Sequence, residues 1–312
     1  MGKKKRKPKK RLPAEDRTFE GNRPKKRDDE EQLVMPPDVY DRLRVTMAHA
    51  LAAATSGPLV VLAPLVMVAL IWGSLLMLGS QVFPPSLVQS MTLPPLSSVF
   101  DLGAAASLFG LSATWIFGFF IGITLLRALF IALLAGMLDE ALEYRSVSRL
   151  GILRGLNGYM GILLYCYMGG AVGLIATQVV PQILGTQLGA TLVPVALVAG
   201  IFFLSFTPAA AVRLGVPARE ALARSAKAAR MGGWQRHLAM SALYYLLTMV
   251  MEIGYPSGGL FITANPTVAD WAYVLGAAFL NTVFLAAFID RWRSIEDYVP
   301  RQIRSSPLPS KT

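Results

Sequence analysis

Three polar residues lie inside otherwise apolar runs of this sequence: Arg127, Glu252 and Asn281. A charged side chain in the hydrocarbon of a bilayer costs at least about 2.5 kcal/mol, so such residues usually have a partner or line a path for polar solutes. Arg127 and Glu252 carry opposite charges, and a buried pair between them would form a polar path near Asn281. The alternative is that Arg127 extends to the inner headgroups while Glu252 lies near the outer interface. The sequence leaves both interpretations open.

The other reactive side chains form no recognisable catalytic or metal-binding pattern. Cys166 is the single cysteine of the chain, and the two histidines, His49 and His237, are far apart in sequence. The HExxH and GxSxG motifs and the Walker A loop are absent from the sequence. We therefore expect no catalytic residue, no metal and no cofactor, and the sequence favours a non-enzymatic protein over an enzyme.

A second candidate site is the segment PAREALARSAKAARMGG, which begins at Pro217. Proline suits the first position of a helix and the closing glycines suit its end, so the segment predicts a helix over 217–231. A single acidic residue, Glu220, faces four basic ones: Arg219, Arg224, Lys227 and Arg230. We expect these four residues to contact anionic lipid headgroups or a partner protein. The alternative is an ordinary cytoplasmic loop that follows the positive-inside rule.

The distribution of Lys and Arg predicts the elements that carry these residues. All 30 basic residues lie outside three windows of the chain, 72–126, 155–212 and 237–290. Each window holds two strongly apolar runs joined by a loop without basic residues, and about 20 apolar residues suffice to cross a bilayer as a helix. Because basic loops stay on the cytoplasmic side, the pattern predicts six transmembrane helices with both termini in the cytoplasm.

The apolar runs place the six spans at about 58–78, 112–138, 158–180, 192–212, 238–255 and 271–289. The segment 38–54 reads as a helix at the cytoplasmic interface, since apolar residues recur every four positions at Val39, Leu43, Met47 and Leu51.

Glycines and tryptophans add detail to these spans. The pairs Gly118–Gly122 and Gly169–Gly173 have the spacing that lets helix backbones approach closely, which predicts packing of span two against span three. Trp234 and Trp292 fall at predicted inner ends, where indole rings prefer the headgroup level.

Composition agrees with a membrane protein. The chain is 54% hydrophobic and 16% charged, with a mean hydropathy of +0.49, whereas soluble domains carry about 25% charged residues. The net charge of +11 concentrates at the start, because the first 32 residues hold 13 of the 30 basic residues. In a membrane protein we expect this segment to contact anionic lipid rather than nucleic acid.

The predicted organisation has three parts. Residues 1–35 form a disordered basic cytoplasmic tail, 36–296 a six-helix membrane domain, and 297–312 a cytoplasmic C-terminal tail. The fold class is all-α, a helical bundle of the bacterial inner membrane with interfacial helices.

Residues 192–251 contain a block of recognisable order. A span ends in TPAAAVRLGV, a helix of the type Pro-x-x-Glu-Ala-Leu-x-x-Ser follows, and a basic turn with a tryptophan leads into another span. This block resembles the membrane domain found beside some bacterial glycerophosphodiester phosphodiesterases and in related polytopic proteins. The matching residues are Pro217, Glu220, Ala221, Leu222, Ser225, Gly233 and Trp234. The loop EYRSVSRLGILRGLNGY is similar to a degenerate second copy.

The resemblance implies a helical bundle that acts as an anchor or accessory. It does not imply phosphodiesterase activity, because the catalytic barrel of those enzymes needs about 250 residues and this chain has no soluble segment of that size. The leading expectation is a non-enzymatic scaffold or accessory subunit whose partners are the bilayer, anionic lipids and another membrane protein. The alternative is a transporter or channel component with a polar path near Arg127, Glu252 and Asn281.

Overall fold

The computed structural model describes residues 39–77, 113–230, 233–253 and 268–296. Within these ranges every regular element is helical and no strand occurs, which confirms the predicted all-α fold class. The helices are α1 (Val39–Ala54), α2 (Pro58–Met77), α3 (Ala113–Tyr144), α4 (Arg149–Asn157), α5 (Tyr159–Leu174), α6 (Val180–Leu184), α7 (Thr186–Leu204), α8 (Thr207–Leu214), α9 (Ala218–Ala229), α10 (Trp234–Ile253) and α11 (Val268–Ile295). A π-helical turn, Ile175–Val179, joins α5 to α6.

A helix occupies each of the six predicted spans, but their lengths and hydropathies differ. Within the described residues, two helical stretches are long and apolar enough to cross a membrane, Gln187–Leu214 and Leu275–Ile295. The pair Leu43–Ala54 and Pro58–Val66 passes the same test when taken together, although it is bent by 82° at the break. The structure therefore supports a membrane protein with two or three candidate spanning helices.

The bend between α1 and α2 is stabilised by side chains that bond to the last carbonyls of α1. The Thr55 hydroxyl donates to the Leu51 carbonyl at 2.9 Å, and the Ser56 hydroxyl donates to the Ala53 carbonyl at 2.7 Å. Such bonds satisfy carbonyls that the end of a helix leaves without amide partners. The chain can therefore turn sharply before Pro58 begins α2.

Helix α1 packs along α11 through small side chains. Ala50 and Ala53 are buried, and Leu43 and Met47 pack beside the core in partly buried positions. Leu51, the last residue of the predicted apolar row, is 48% exposed and does not pack in this core. The close contact with α11 falls on alanines, which a pattern of large apolar residues does not reveal.

Three glycines bring α3 and α4 into backbone contact. A Cβ atom on Gly155 would collide with the carbonyl oxygen of Ala132, and one on Gly136 would collide with the carbonyl oxygen of Gly151. Helix α3 also packs against α5, as predicted for spans two and three. A Cβ atom added to Gly122, however, would have no other atom within 4 Å, so the predicted role of Gly122 in close packing is wrong. The surroundings of Gly118 lie outside the described residues.

The core of the bundle is aromatic around α8, α10 and α11. Trp292, Phe206, Phe284 and Phe288 are among the largest fully buried side chains. The Trp292 ring packs against Phe206 with 5.7 Å between ring centroids. Trp292 is therefore covered by protein and not by lipid headgroups, and its depth at the inner end of a span stays a prediction.

Candidate functional site

Helix α9 is fixed to the bundle by its small-residue face. Its first turn forms because the Pro217 carbonyl accepts the amides of Glu220 and Ala221, at 2.9 and 3.0 Å. Ala221, Ser225 and Ala228 are fully buried, and the helix packs against α5, α7 and α8. The predicted helix over 217–231 therefore has its described helical residues at Ala218–Ala229.

The four basic residues predicted to bind lipid or a partner separate into two groups. Arg224 forms two bonds to the Glu220 carboxylate, 2.9 Å from Nε and 2.5 Å from Nη2, and only 13% of its side chain is exposed. Arg219, Lys227 and Arg230 are exposed, and we call these three residues the basic stripe. Trp234, at the start of α10, is 48% exposed.

The stretch α7–α8 is interrupted at Ser205 and Phe206. Pro208 has no amide hydrogen, so the Leu204 carbonyl loses its normal partner four residues ahead. Two side chains from other helices bond to the neighbouring carbonyls: the Ser225 hydroxyl donates to Phe203 at 2.7 Å, and His237 Nε2 lies 2.8 Å from the Phe202 oxygen. We call these two contacts the carbonyl caps.

His237 is enclosed by aromatic rings at this interruption. Its imidazole stacks on Phe206 at a centroid distance of 4.0 Å, and the Phe288 ring meets it edge on. The bond to the Phe202 oxygen requires a proton on Nε2, while Nδ1 has no hydrogen-bond partner among the described residues. Desolvation, together with the positive charge of Arg291, lowers the pKa of His237 to about 4 despite the bond to Phe202. His237 is therefore neutral at pH 7.

An ionic network joins α3, α8 and the end of α11. Arg213 lies between two carboxylates, with Nη1 at 2.7 Å from Asp139 Oδ1 and Nε at 2.6 Å from Glu296 Oε2. Arg154 approaches Asp139 and Glu143 at 3.7 and 3.3 Å. The Asp139 side chain is only 2% exposed, so Arg213 and Arg154 take the place of water around its carboxylate.

Glu140 has a separate role at the start of α4. Its carboxylate accepts the amides of Ser148 and Gly151 at 2.8 and 2.9 Å, and also the Ser148 hydroxyl. Burial alone raises the pKa of Glu140, but the bonds from Ser148 and Gly151 outweigh burial and hold that pKa below its ordinary value. Glu140 thus remains ionised and caps a helix that belongs to the predicted loop 139–154.

The predicted intramembrane polar residues are brought together in part. Arg127 is 4% exposed, which opposes the alternative that it extends to the surface, and Tyr165, Cys166 and Tyr244 lie within electrostatic reach of it. The Tyr244 hydroxyl donates to Asn281 Oδ1 at 3.0 Å. Arg127 and Asn281 therefore share Tyr244 as a neighbour in the core. The side chain of Glu252 lies outside the described residues, and its pairing with Arg127 stays a prediction.

The described residues contain no group of three or more His, Cys, Asp or Glu side chains placed to hold a metal ion. Sequence reasoning missed the network around Asp139 and Arg213 and the burial of His237. The sequence did contain a signal for the burial of His237. Pro208 within an apolar run indicates a helix interruption at which carbonyls lack amide partners.

No family model, curated protein or solved structure matches this chain.

Proposed function

We propose that this chain is a polytopic protein of the bacterial inner membrane that acts as a scaffold or accessory subunit without enzymatic activity. Its basic cytoplasmic face contacts anionic lipid or a partner membrane protein. The observation that carries the proposal is the basic stripe on α9. One face of this helix is held against α5, α7 and α8, while the other presents three exposed cations.

The proposal includes six spans and two cytoplasmic termini. The spans keep the bounds that the apolar runs predict, and each overlaps a described helix: α2, α3, α5 with its continuation, α7 with α8, α10 and α11. Glu140 and His237 therefore fall just outside the spans 112–138 and 238–255, on the cytoplasmic side. The windows without Lys and Arg supply the orientation, because basic segments resist transfer across the membrane. Reporter fusions within 81–101 and 139–154 test this topology, and an external position for the second segment would contradict it.

The lipid or partner contact is tested by affinity purification from native membranes, with bound proteins and lipids identified. Lys227→Gln and Arg224→Gln form a matched pair on α9, since each removes one positive charge. Loss of bound anionic lipid or partner is expected for Lys227→Gln, which alters the basic stripe. Arg224→Gln should retain it, because that arginine already pairs with Glu220. Equal retention by both variants, and by a triple variant of the stripe, would overturn the proposal.

The resemblance to the membrane domain beside glycerophosphodiester phosphodiesterases belongs to this proposal. It supports an anchoring or accessory role, and several of its residues make specific contacts here. Ser225 caps the Phe203 carbonyl, Glu220 pairs with Arg224, and Ala221 faces Gly161 of α5.

A second candidate function is that of a transporter or channel component. The burial of Arg127 in a core that also holds the Tyr244–Asn281 bond favours it, because polar groups inside a bundle often line a path. Reconstituted vesicles loaded with small ions test this function. An Asn281→Leu variant that folds but shows unchanged flux would contradict a path through this part of the core.

A further inference from the structure

Helix α4 has two faces of opposite character. Gly151 and Gly155 are buried against the backbone of α3. The other face presents Leu150, Leu153 and Leu156, whose exposed fractions are 63, 54 and 43%. We call these three residues the leucine face. Single exposed leucines are ordinary, but three on successive turns of a nine-residue helix form an apolar patch, with exposed Asn157 at its C-terminal end, that marks a contact surface.

The polar groups at the start of α4 find their partners inside the protein. Glu140 accepts the amides of Ser148 and Gly151, and the Ser148 hydroxyl accepts the amide of Leu150 at 3.1 Å. The first amides of a helix have no intrahelical acceptors, and leaving them unpaired in apolar surroundings is costly. With these bonds formed, α4 can lie in a region of low polarity.

The surroundings of the leucine face match a bilayer surface. Arg145 and Arg149 are exposed beside its N-terminal end, where they complement the anionic headgroups of a cytoplasmic leaflet. Beyond its C-terminal end, Met160 of α5 is also exposed, as are Tyr167 and Met168 further along the same helix. Exposed apolar side chains therefore occur on α5, a proposed span, as well as on α4.

We propose that α4 is an in-plane membrane helix whose leucine face inserts between the headgroups and the acyl chains of the cytoplasmic leaflet. Arg145 and Arg149 lie at the level of the lipid phosphates. The occupant of the leucine face is the bilayer, and neither a second copy of the chain nor a soluble partner covers it. This inference rests on the topology in the proposed function, but not on the lipid or partner contact of the basic stripe.

The depth of a spin label tests the inference. Leu153→Cys, in full-length protein carrying Cys166→Ala, is labelled with a nitroxide and placed in nanodiscs of phosphatidylethanolamine and phosphatidylglycerol. Power saturation then compares its accessibility to oxygen, which concentrates in lipid, with that to a water-soluble nickel chelate. We expect preferential access of oxygen and a depth of about 5–10 Å, as in interfacial helices. A label at Lys227→Cys, on the basic stripe, should favour the nickel chelate.

Two results would overturn the inference. If the label at residue 153 is as accessible to the nickel chelate as the label at residue 227, α4 lies in water. A label shielded from both reagents would show that protein covers the leucine face. Leu150→Cys and Leu156→Cys give the same reading if Leu153→Cys does not fold.

The outcomes also separate this inference from the proposed function. A membrane-embedded label at residue 153 would support the insertion of α4. If the stripe variants also keep every bound lipid and protein, the proposed contact of the basic stripe is contradicted. Loss of bound lipid in the stripe variants, with a water-exposed label at residue 153, would support the contact of the basic stripe and contradict the insertion of α4.

Discussion

The hydroxyl of Ser225 donates a hydrogen bond to the main-chain carbonyl of Phe203, 2.7 Å away. The two residues belong to different helices, and the carbonyl lies next to the interruption between α7 and α8. The bond ties α9 to that interruption. The opposite face of the same helix carries the basic stripe, so one short helix connects an exposed charged surface to the main chain of a candidate spanning segment.

Ser225→Ala should destabilise the protein by about 0.5–1.5 kcal/mol, because the part-buried Phe203 carbonyl loses the hydrogen bond that this side chain donates. Chemical unfolding in detergent, followed by circular dichroism, measures the change. Ala223→Ser, on the exposed face of α9, adds a hydroxyl without touching the caps and should shift stability by less than about 0.5 kcal/mol. Equal stabilities for Ser225→Ala and the wild type would refute a role for this cap.

Acidification should destabilise the fold through His237. Its pKa is about 4 in the folded protein, against 6.5 for an unperturbed imidazole, so the unfolded chain binds the proton first as the pH falls. The neutral His237 side chain therefore contributes its full share of the unfolding free energy above about pH 6.5. This contribution, at most about 3 kcal/mol, is lost as the pH falls from 6.5 to 4.

Unfolding free energies at pH 7 and pH 4.5 test this effect in wild type and His237→Gln. The glutamine can still donate to Phe202 but does not titrate, so its loss of stability on acidification should be smaller. Ala223→Ser, on the exposed face of α9, serves as the control and should retain the wild-type pH dependence, because it changes no titratable group. An unchanged pH dependence in His237→Gln would exclude this histidine as the cause.

Arg213→Gln should cost about 3–5 kcal/mol, because it leaves the buried Asp139 carboxylate without its shortest ion pair. Adding Asp139→Asn should recover part of that loss, since the uncompensated charge is removed with its partner. Arg219→Gln removes an exposed charge and should change stability little. The coupling energy between Arg213 and Asp139 is measured by thermal unfolding of the wild type, the two single variants and the double variant. Additive effects of the two substitutions would show that this ion pair does not stabilise the fold.

Gly155→Ala should destabilise the contact between α3 and α4, because its Cβ would collide with the backbone of Ala132, which cannot move aside independently. Overpacking of this kind costs about 1–3 kcal/mol. Gly122→Ala, also within a helix but with open space around it, should instead stabilise by about 0.5–1 kcal/mol. The sign of the change in melting temperature for the two variants checks the prediction, which fails if both variants are stabilised.

The helices were predictable wherever the signal is local. Apolar runs have the length of helices, and Pro217 with the glycines after Arg230 indicated the bounds of α9 to within about two residues. The helix predicted at 38–54 agrees with α1 (Val39–Ala54) for the same reason, while its interfacial position stays a prediction. Hydropathy and caps are properties of a short window, and no distant residue is needed to read them.

The contacts of the site depend on distant residues and could not be read in the same way. Asp139 and Arg213 are 74 positions apart, and each looks like an ordinary loop charge in its own segment. Arg224 looked equivalent to Lys227 until its pairing with Glu220 separated them. Gly122 has the same spacing motif as a packing glycine, yet Gly136 is the glycine of α3 that approaches the backbone of α4.

The Arg213 network also constrains the biogenesis of the protein. Asp139 is synthesised 74 residues before Arg213, and Glu296 follows Arg213 by another 83. During translation the Asp139 carboxylate therefore lacks its shortest ion pair until α8 is made, although Arg154 follows it by only 15 residues. Arg213 then lacks the Glu296 carboxylate until the end of α11 is synthesised. Closure of the network is thus a late event, and a chain that stops before the end of α11 leaves Arg213 without one of its two shortest ion pairs.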